Sequence, residues 1–417
     1  MGPQTMISIL RIKTSVCREP FRLFFPLGVL MGSWGVGQWL FLSLGWISSS
    51  LGFYHSSVQS LVYMNCFIIG FLTTALPRFT ATRQATGWEI SSFFFLIIGM
   101  LLFLSLQEWV IAEILFAVWL IALMRFALVR VTRRPKTTDG PKPPLELIWV
   151  PFGVFNGITG VAASVLGQMG VLPPWSLKAG RDMMEQGFLL SVVVGIGGFL
   201  IPRLLGTYRR AQEHEQACEV PQEERKAYSL IIYAVCMAMI FVSFWLEGLG
   251  FAGIAYALRA LAVTIVYSMT GIFKFVRGCD LYARLIWVSA WMVAIGYWLA
   301  AIFSNYGVIM LHITFIGGFS LMTFSVASMV ILSHSGEGAR LKRPLWILWM
   351  VGLGIGAAMV QRIMVAFFPD QYMQILGIAA ALWIMAAFGW LAYMLPFIFR
   401  VPEEDTFGKM HEEVKST

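Results

Sequence analysis

The sequence predicts an all-α, polytopic membrane helix bundle with about 12 transmembrane helices. Three observations carry that expectation. The 417-residue chain is 58% hydrophobic and only 12% charged, with mean hydropathy +0.75, whereas a soluble domain carries roughly 25% charged residues. Twelve apolar runs reach the roughly 20 residues needed to cross hydrocarbon. The 30 Lys and Arg residues also segregate to alternate loops. Length alone would suggest about three soluble domains, but a helical bundle can be one unit, so 1–417 reads as a single integral membrane domain.

In order, the spans are expected near 23–46, 55–76, 89–107, 109–130, 146–171, 182–205, 228–247, 250–273, 283–303, 307–333, 345–367 and 374–399. The third and fourth are separated only by "SLQEW". Pro151 falls early in the fifth and Pro202 near the end of the sixth, positions that membrane helices tolerate. Arg11, Lys13, Arg18 and Arg22 precede the first run, which is too long for a signal core, so it is expected to stay in the mature protein.

Charge sets the expected orientation. With the N-terminus inside, 26 of the 30 Lys and Arg lie on the inner side. Lys178 and Arg181 fall in an outer loop, and Arg259 and Arg362 lie within or near the ends of helices. This is the sorting of the positive-inside rule. It places an arm at 1–22, loops at 131–144 and 206–227 and a tail at 400–417 in the cytoplasm. The net charge of +8 resides in those inner segments, so the lipid bilayer is the expected partner and no nucleic acid is needed to account for it. Five scattered cysteines do not form a disulfide framework.

Five histidines remain to be explained. His214 and His411 lie in polar stretches and read as solvated. His55 opens the second span, in "FYHSSVQSL", and His312 lies about one turn inside the tenth, in "VIMLHITFIGGF". Both spans enter from the outer face, so the two imidazoles share a depth. His334 closes the tenth span, roughly 33 Å further along, too far to share one ion with His312. Ionisable groups within a membrane mark functional sites by default. Two imidazoles from different helices can clamp a haem iron, or hold copper with a third ligand. Arg259, in "AYALRALAV", needs an anion, which a haem propionate or Glu113 would supply. Arg362 reads as reaching to the interface. The runs "GIGG" and "GLGIG" lie inside apolar helices and read as packing sites rather than nucleotide loops. Gly317 and Gly318 either pack helices or leave room for a flat macrocycle.

Four blocks carry a resemblance. "REPFRLFFPLGVLMGSWGV" is similar to the first helix of the NnrS family, and the run from His55 through "GFLTTALPRFT" resembles its "HAHE…GFLLTAVPNWTG" pattern. "GGFLIPRL" resembles "GRVIPFFTRN", and "LHITFIGGFSLMTFSVASMVILSHSG" resembles "LHALTVGAIGTMTLGVMTRVALGHTG". The resemblance implies a twelve-helix protein of the bacterial cytoplasmic (inner) membrane containing haem and copper, associated with nitric oxide metabolism or the nitrosative-stress response. It aligns His55, His312 and His334 with family histidines, as candidate metal ligands. Ser57 stands where a second histidine would be, Val58 replaces a glutamate, and Leu204, Leu205 and Gly206 interrupt "FFTRN". A copper site of three imidazoles is therefore in question, while a haem remains compatible. The expected cofactor site comprises His55, His312 and Arg259, with nitric oxide or a related small ligand as partner. A secondary transporter lining its path with His55, His312, Arg259 and Glu113 is the alternative, and a structural assembly protein a third.

The topology is directly testable. Single cysteines introduced at Ser49 and Ser304 should react with an impermeant thiol reagent from the outer side only. Labelling of either from the cytoplasmic side alone would overturn the orientation.

Overall fold

The computed structural model describes residues 15–49, 52–135, 144–206, 222–274 and 278–400. His214, His411, Cys218, Arg11, Lys13 and the tail beyond residue 400 lie outside them. Twelve helices are long and apolar enough to cross a membrane. They are α1 (Phe21–Ser43), α2 (Gly52–Phe79), α3 (Gly87–Ser105), α4 (Trp109–Thr132), α5 (Leu145–Gln168) and α6 (Trp175–Leu204). After these come α7 (Glu223–Gly248), α8 (Ala252–Met269), α9 (Leu281–Ile302), α10 (Ser304–His334), α11 (Trp346–Met364) and α12 (Pro369–Ile398).

The count matches the sequence, and the "SLQEW" break is real. Gln107 turns the chain with φ 62° between α3 and α4. The largest shift is at α6, which starts at Trp175 rather than near 182. Lys178 and Arg181 are therefore in a helix, not in a loop as expected. Their charges are held there by partners on the same helix and on neighbouring ones. Lys178 Nζ lies 2.6 Å from both Asp182 and Glu247, and Arg181 Nε is 3.9 Å from Glu113.

Burial separates the helices into two populations. The apolar windows of α2, α6 and α10 are 83, 67 and 72% buried, against 28–56% for the other nine. The inner helices thus recur every fourth position. Each packs on the other three of its group: α2 on α1, α3 and α4; α6 on α5, α7 and α8; α10 on α9, α11 and α12. α2 also meets α6 and α10, and α12 closes the bundle against α1. The outer helices turn residues such as Trp88, Phe95 and Leu353 outward, as lipid-facing surfaces do. Between α2, α10 and α12 the core is aromatic. Phe324 packs on Trp390 and Trp383 at 5.1 and 6.0 Å, and Tyr63 packs edge-on to Trp383.

The end of the bundle carrying both termini is tied by one ionic network. Glu19 accepts from His334 Nδ1 at 2.8 Å, from Arg78 at 2.9 Å, and from Arg22. Arg22 in turn donates to the carbonyls of Ile398 and Arg400. The start of α1 and the ends of α2, α10 and α12 are thereby joined. Glu89 does the same locally, capping α3 through Thr86 and pairing with the buried Arg130 of α4 at 2.9 Å.

Burial by itself would raise the Glu19 carboxyl. The hydrogen bond from His334 and the charge of Arg22 outweigh it and hold the group at about 2, from 4.5. A carboxylate depressed by folding stabilises above its unfolded value, and that stability is lost as pH falls from about 4.5 towards 2. The contribution is on the order of 3 kcal/mol. Glu19→Gln should therefore lower the melting temperature of the detergent-solubilised protein at pH 7. It should also flatten the acid limb of the profile of melting temperature against pH. An unchanged limb would remove Glu19 from this role.

Candidate functional site

The three inner helices share one local distortion. Each contains a π-helical stretch: Val58–Tyr63 in α2, Met183–Gly187 in α6 and Ile313–Ser320 in α10. Such widened turns are rare and recur at functional sites, because they redirect side chains within a helix that otherwise continues. His55 precedes the first by three residues, Glu185 lies inside the second, and His312 immediately precedes the third. All three residues lie towards the end of the bundle opposite the termini.

His55 is half-buried and its Nδ1 lies 3.0 Å from the Gly35 carbonyl on α1. A carbonyl only accepts, so Nδ1 carries the proton and Nε2 keeps its lone pair. The contact needs close approach of α1 to α2: a Cβ at Gly35 would strike Gln59 and Val58. The Trp39 ring packs edge-on to the imidazole at 5.7 Å. His312 repeats the pattern with its own helix. Its Nδ1 lies 2.7 Å from the Val308 carbonyl, which again leaves Nε2 as the lone-pair nitrogen. Neither Nε2 has a hydrogen-bond partner among the described residues. Bonding of the far ring nitrogen to a carbonyl is the outer-shell arrangement that fixes the tautomer of metal-binding histidines.

The start of α10, Gly307–His312, packs on α11, which carries Arg362 near its end. A small apolar cluster joins the same elements. Val365, Ile375 and Leu376 pack with Trp39, Ile309 and Met364. Trp39 touches His55, and Ile309 lies one turn from His312. Gly317 and Gly318 serve packing: a Cβ at Gly317 would meet Met359 and Met292, and one at Gly318 would meet Val293.

Beside His55, Ser56 and Ser57 both donate to Glu185 Oε1, at 3.0 and 2.9 Å. These bonds join α2 to α6. Glu185 was not singled out in the sequence, although a glutamate among apolar residues of an inner helix was a usable signal.

Arg259 is placed differently from expectation. Its partner is not Glu113, which instead accepts from Ser164 and Gln168 at 2.9 Å each. Arg259 Nη2 lies 2.6 Å from Glu247 of α7. Nε donates to Ser243 at 2.8 Å and Nη1 to Gln186 at 3.1 Å. Glu247 also binds Lys178 and the Tyr256 hydroxyl. The guanidinium thus has a protein carboxylate and an acceptor for each of its three nitrogens, and none of these contacts involves His55 or His312.

His334 is equally occupied. Nδ1 donates to Glu19 and Nε2 lies 2.9 Å from Arg78 Nη1, which can only donate. Both ring nitrogens are engaged, at the opposite end of the bundle from the other two histidines. Among the described residues, no three His, Cys, Asp or Glu side chains converge to hold a metal ion.

A family model described as NnrS protein matches residues 15–401. The match spans most of the chain, which therefore belongs to the NnrS family. No curated protein matches it.

The Arg259–Glu247 pair is buried, so removing one partner leaves an uncompensated charge at a cost of about 3–5 kcal/mol, whereas removing both is far milder. Glu247→Leu should sharply reduce folded, monodisperse protein, and Glu247→Leu with Arg259→Met should recover much of it. Equal yields and melting temperatures for the single variant and the parent would contradict a structural pair.

Proposed function

We propose that this member of the NnrS family binds haem through His55 and His312, near the outer face of a bacterial inner membrane. In this reading it acts in nitric oxide metabolism or the nitrosative-stress response. The observation that carries the proposal is the matched pair of imidazoles on α2 and α10. In each, Nδ1 is anchored to a carbonyl and Nε2 is left for a ligand. A haem held there would supply one-electron chemistry, and a small gaseous ligand would reach its iron only in place of one imidazole.

The chain's own residues have distinct tasks. The Gly35 carbonyl orients His55 from α1, and the Val308 carbonyl orients His312 from within α10. Trp39 and Phe315 flank the two rings, at 5.7 and 6.0 Å, and limit access of water. Arg259 is held by Glu247 and is no longer needed as a propionate partner. Copper fits less well. Ser57 stands at the position of a family histidine and its hydroxyl is committed to Glu185, so a three-imidazole site lacks a member.

A transporter reading draws on the polar groups at the same end: Glu113, Asp182, Glu185, Glu247 and Arg259. Glu247 and Arg259 are mutually neutralised and close-packed, which suits a fixed brace better than a path that must open.

Histidine variants separate these readings. His55→Ala and His312→Ala should each convert a six-coordinate, low-spin haem spectrum to a five-coordinate or haem-free one, and the double variant should retain no haem. His334→Ala should leave the spectrum unchanged, because its nitrogens serve Glu19 and Arg78. Unaltered low-spin spectra in both single variants would remove this pair as the ligands and favour transport.

A further inference from the structure

We infer that Arg362 is the residue that binds a carboxylate of the ligand seated between His55 and His312. For the haem of the proposed function, that group is a propionate. The inference rests on that function for the identity of the ligand, and on the following geometry for the residue.

Arg362 lies two residues before Met364, the last residue of α11. A long cation near a helix end ordinarily reaches outward to water or headgroups. Here the side chain is half-buried, and its Nη1 is buried without a hydrogen-bond partner. No carboxylate lies within ion-pair distance among the described residues. The fully buried arginines each have a carboxylate: Arg22 has Glu19, Arg130 has Glu89 although its Nε is also unmet, and Arg259 has Glu247. A buried donor left unmet, on a charged group above all, costs more than an ordinary hydrogen bond contributes. The arrangement is therefore incomplete without an anion.

Two observations say where that anion belongs. The start of α10, which carries His312, packs on α11. The cluster at the end of α11 also packs Met364 and Val365 with Trp39 and Ile309, which flank His55 and His312. Neither imidazole supplies negative charge. A cation beside two potential ligand nitrogens favours a molecule that carries both an acceptor for those nitrogens and an acid group a few ångströms away. A metalloporphyrin with peripheral carboxylates has that combination. The guanidinium fork matches a carboxylate in two parallel hydrogen bonds, which a lysine does not reproduce.

The test uses the full-length protein, prepared in detergent without haem and titrated with haem b or with its dimethyl ester, which lacks the carboxylate charge. The parent should bind the free acid about 10- to 100-fold more tightly than the ester, the range expected for a charge-assisted bidentate contact. Arg362→Gln should bind both forms alike, near the parent's affinity for the ester, with the low-spin spectrum retained. Arg362→Lys should keep part of the preference. Equal affinities in the parent would show that the arginine serves a lipid headgroup or water, and would overturn the inference without a variant. A full preference surviving in Arg362→Gln would also overturn it. Low-spin spectra unaffected by His55→Ala and His312→Ala would instead sink the haem site itself, whatever Arg362 does.

Discussion

A charge inside hydrocarbon must be neutralised by a neighbour, and the rest of this structure follows from that requirement. Arg22, Arg130 and Arg259 are all but inaccessible to solvent, and each is met by a carboxylate that also joins separate elements. Glu19 gathers the ends of α1, α2 and α10, Glu89 pins α3 to α4, and Glu247 connects α6, α7 and α8. The ion pairs are thus the fasteners of a bundle whose apolar faces alone do not distinguish a neighbouring helix from lipid. Arg362 departs from that pattern: its Nη1 is buried, with no carboxylate within ion-pair distance among the described residues, on the helix that packs against the start of α10.

The threefold recurrence of four helices gives those groups their setting. α2, α6 and α10 run in the same direction, are the most buried, and each contains a widened turn close to a titratable residue. Within a widened turn, backbone carbonyls and side chains depart from the regular ladder, so a residue can be aimed inward without breaking the span. At α6 the corresponding residue is Glu185, which binds the two serines that follow His55. The position that in the family pattern bears a second histidine is thereby used to join two inner helices.

Much of the fold was legible in the sequence because hydrocarbon thickness and charge sorting act on each span independently. Twelve runs were enough to count twelve helices, and parity placed His55 and His312 at a common depth. What failed was lateral. Depth made Glu113 a plausible partner for Arg259, but only packing reveals that Glu247 lies across from it. Likewise, hydropathy assigned Lys178 and Arg181 to a loop, because a one-dimensional window has no access to the carboxylates that hold them in helix. The widened turns have no compositional mark at all. Arg362 read as an interfacial cation, and its buried, unmet nitrogen emerged only from the side-chain surroundings.

The central claim is that α2 and α10 present two imidazoles to one iron. The most direct measurement is the visible absorption spectrum of the purified parent protein, with iron and copper content determined on the same sample. The account predicts a six-coordinate, low-spin haem with about one iron per chain and little copper. A protein that purifies folded and free of haem, or a high-spin haem together with stoichiometric copper, would contradict it.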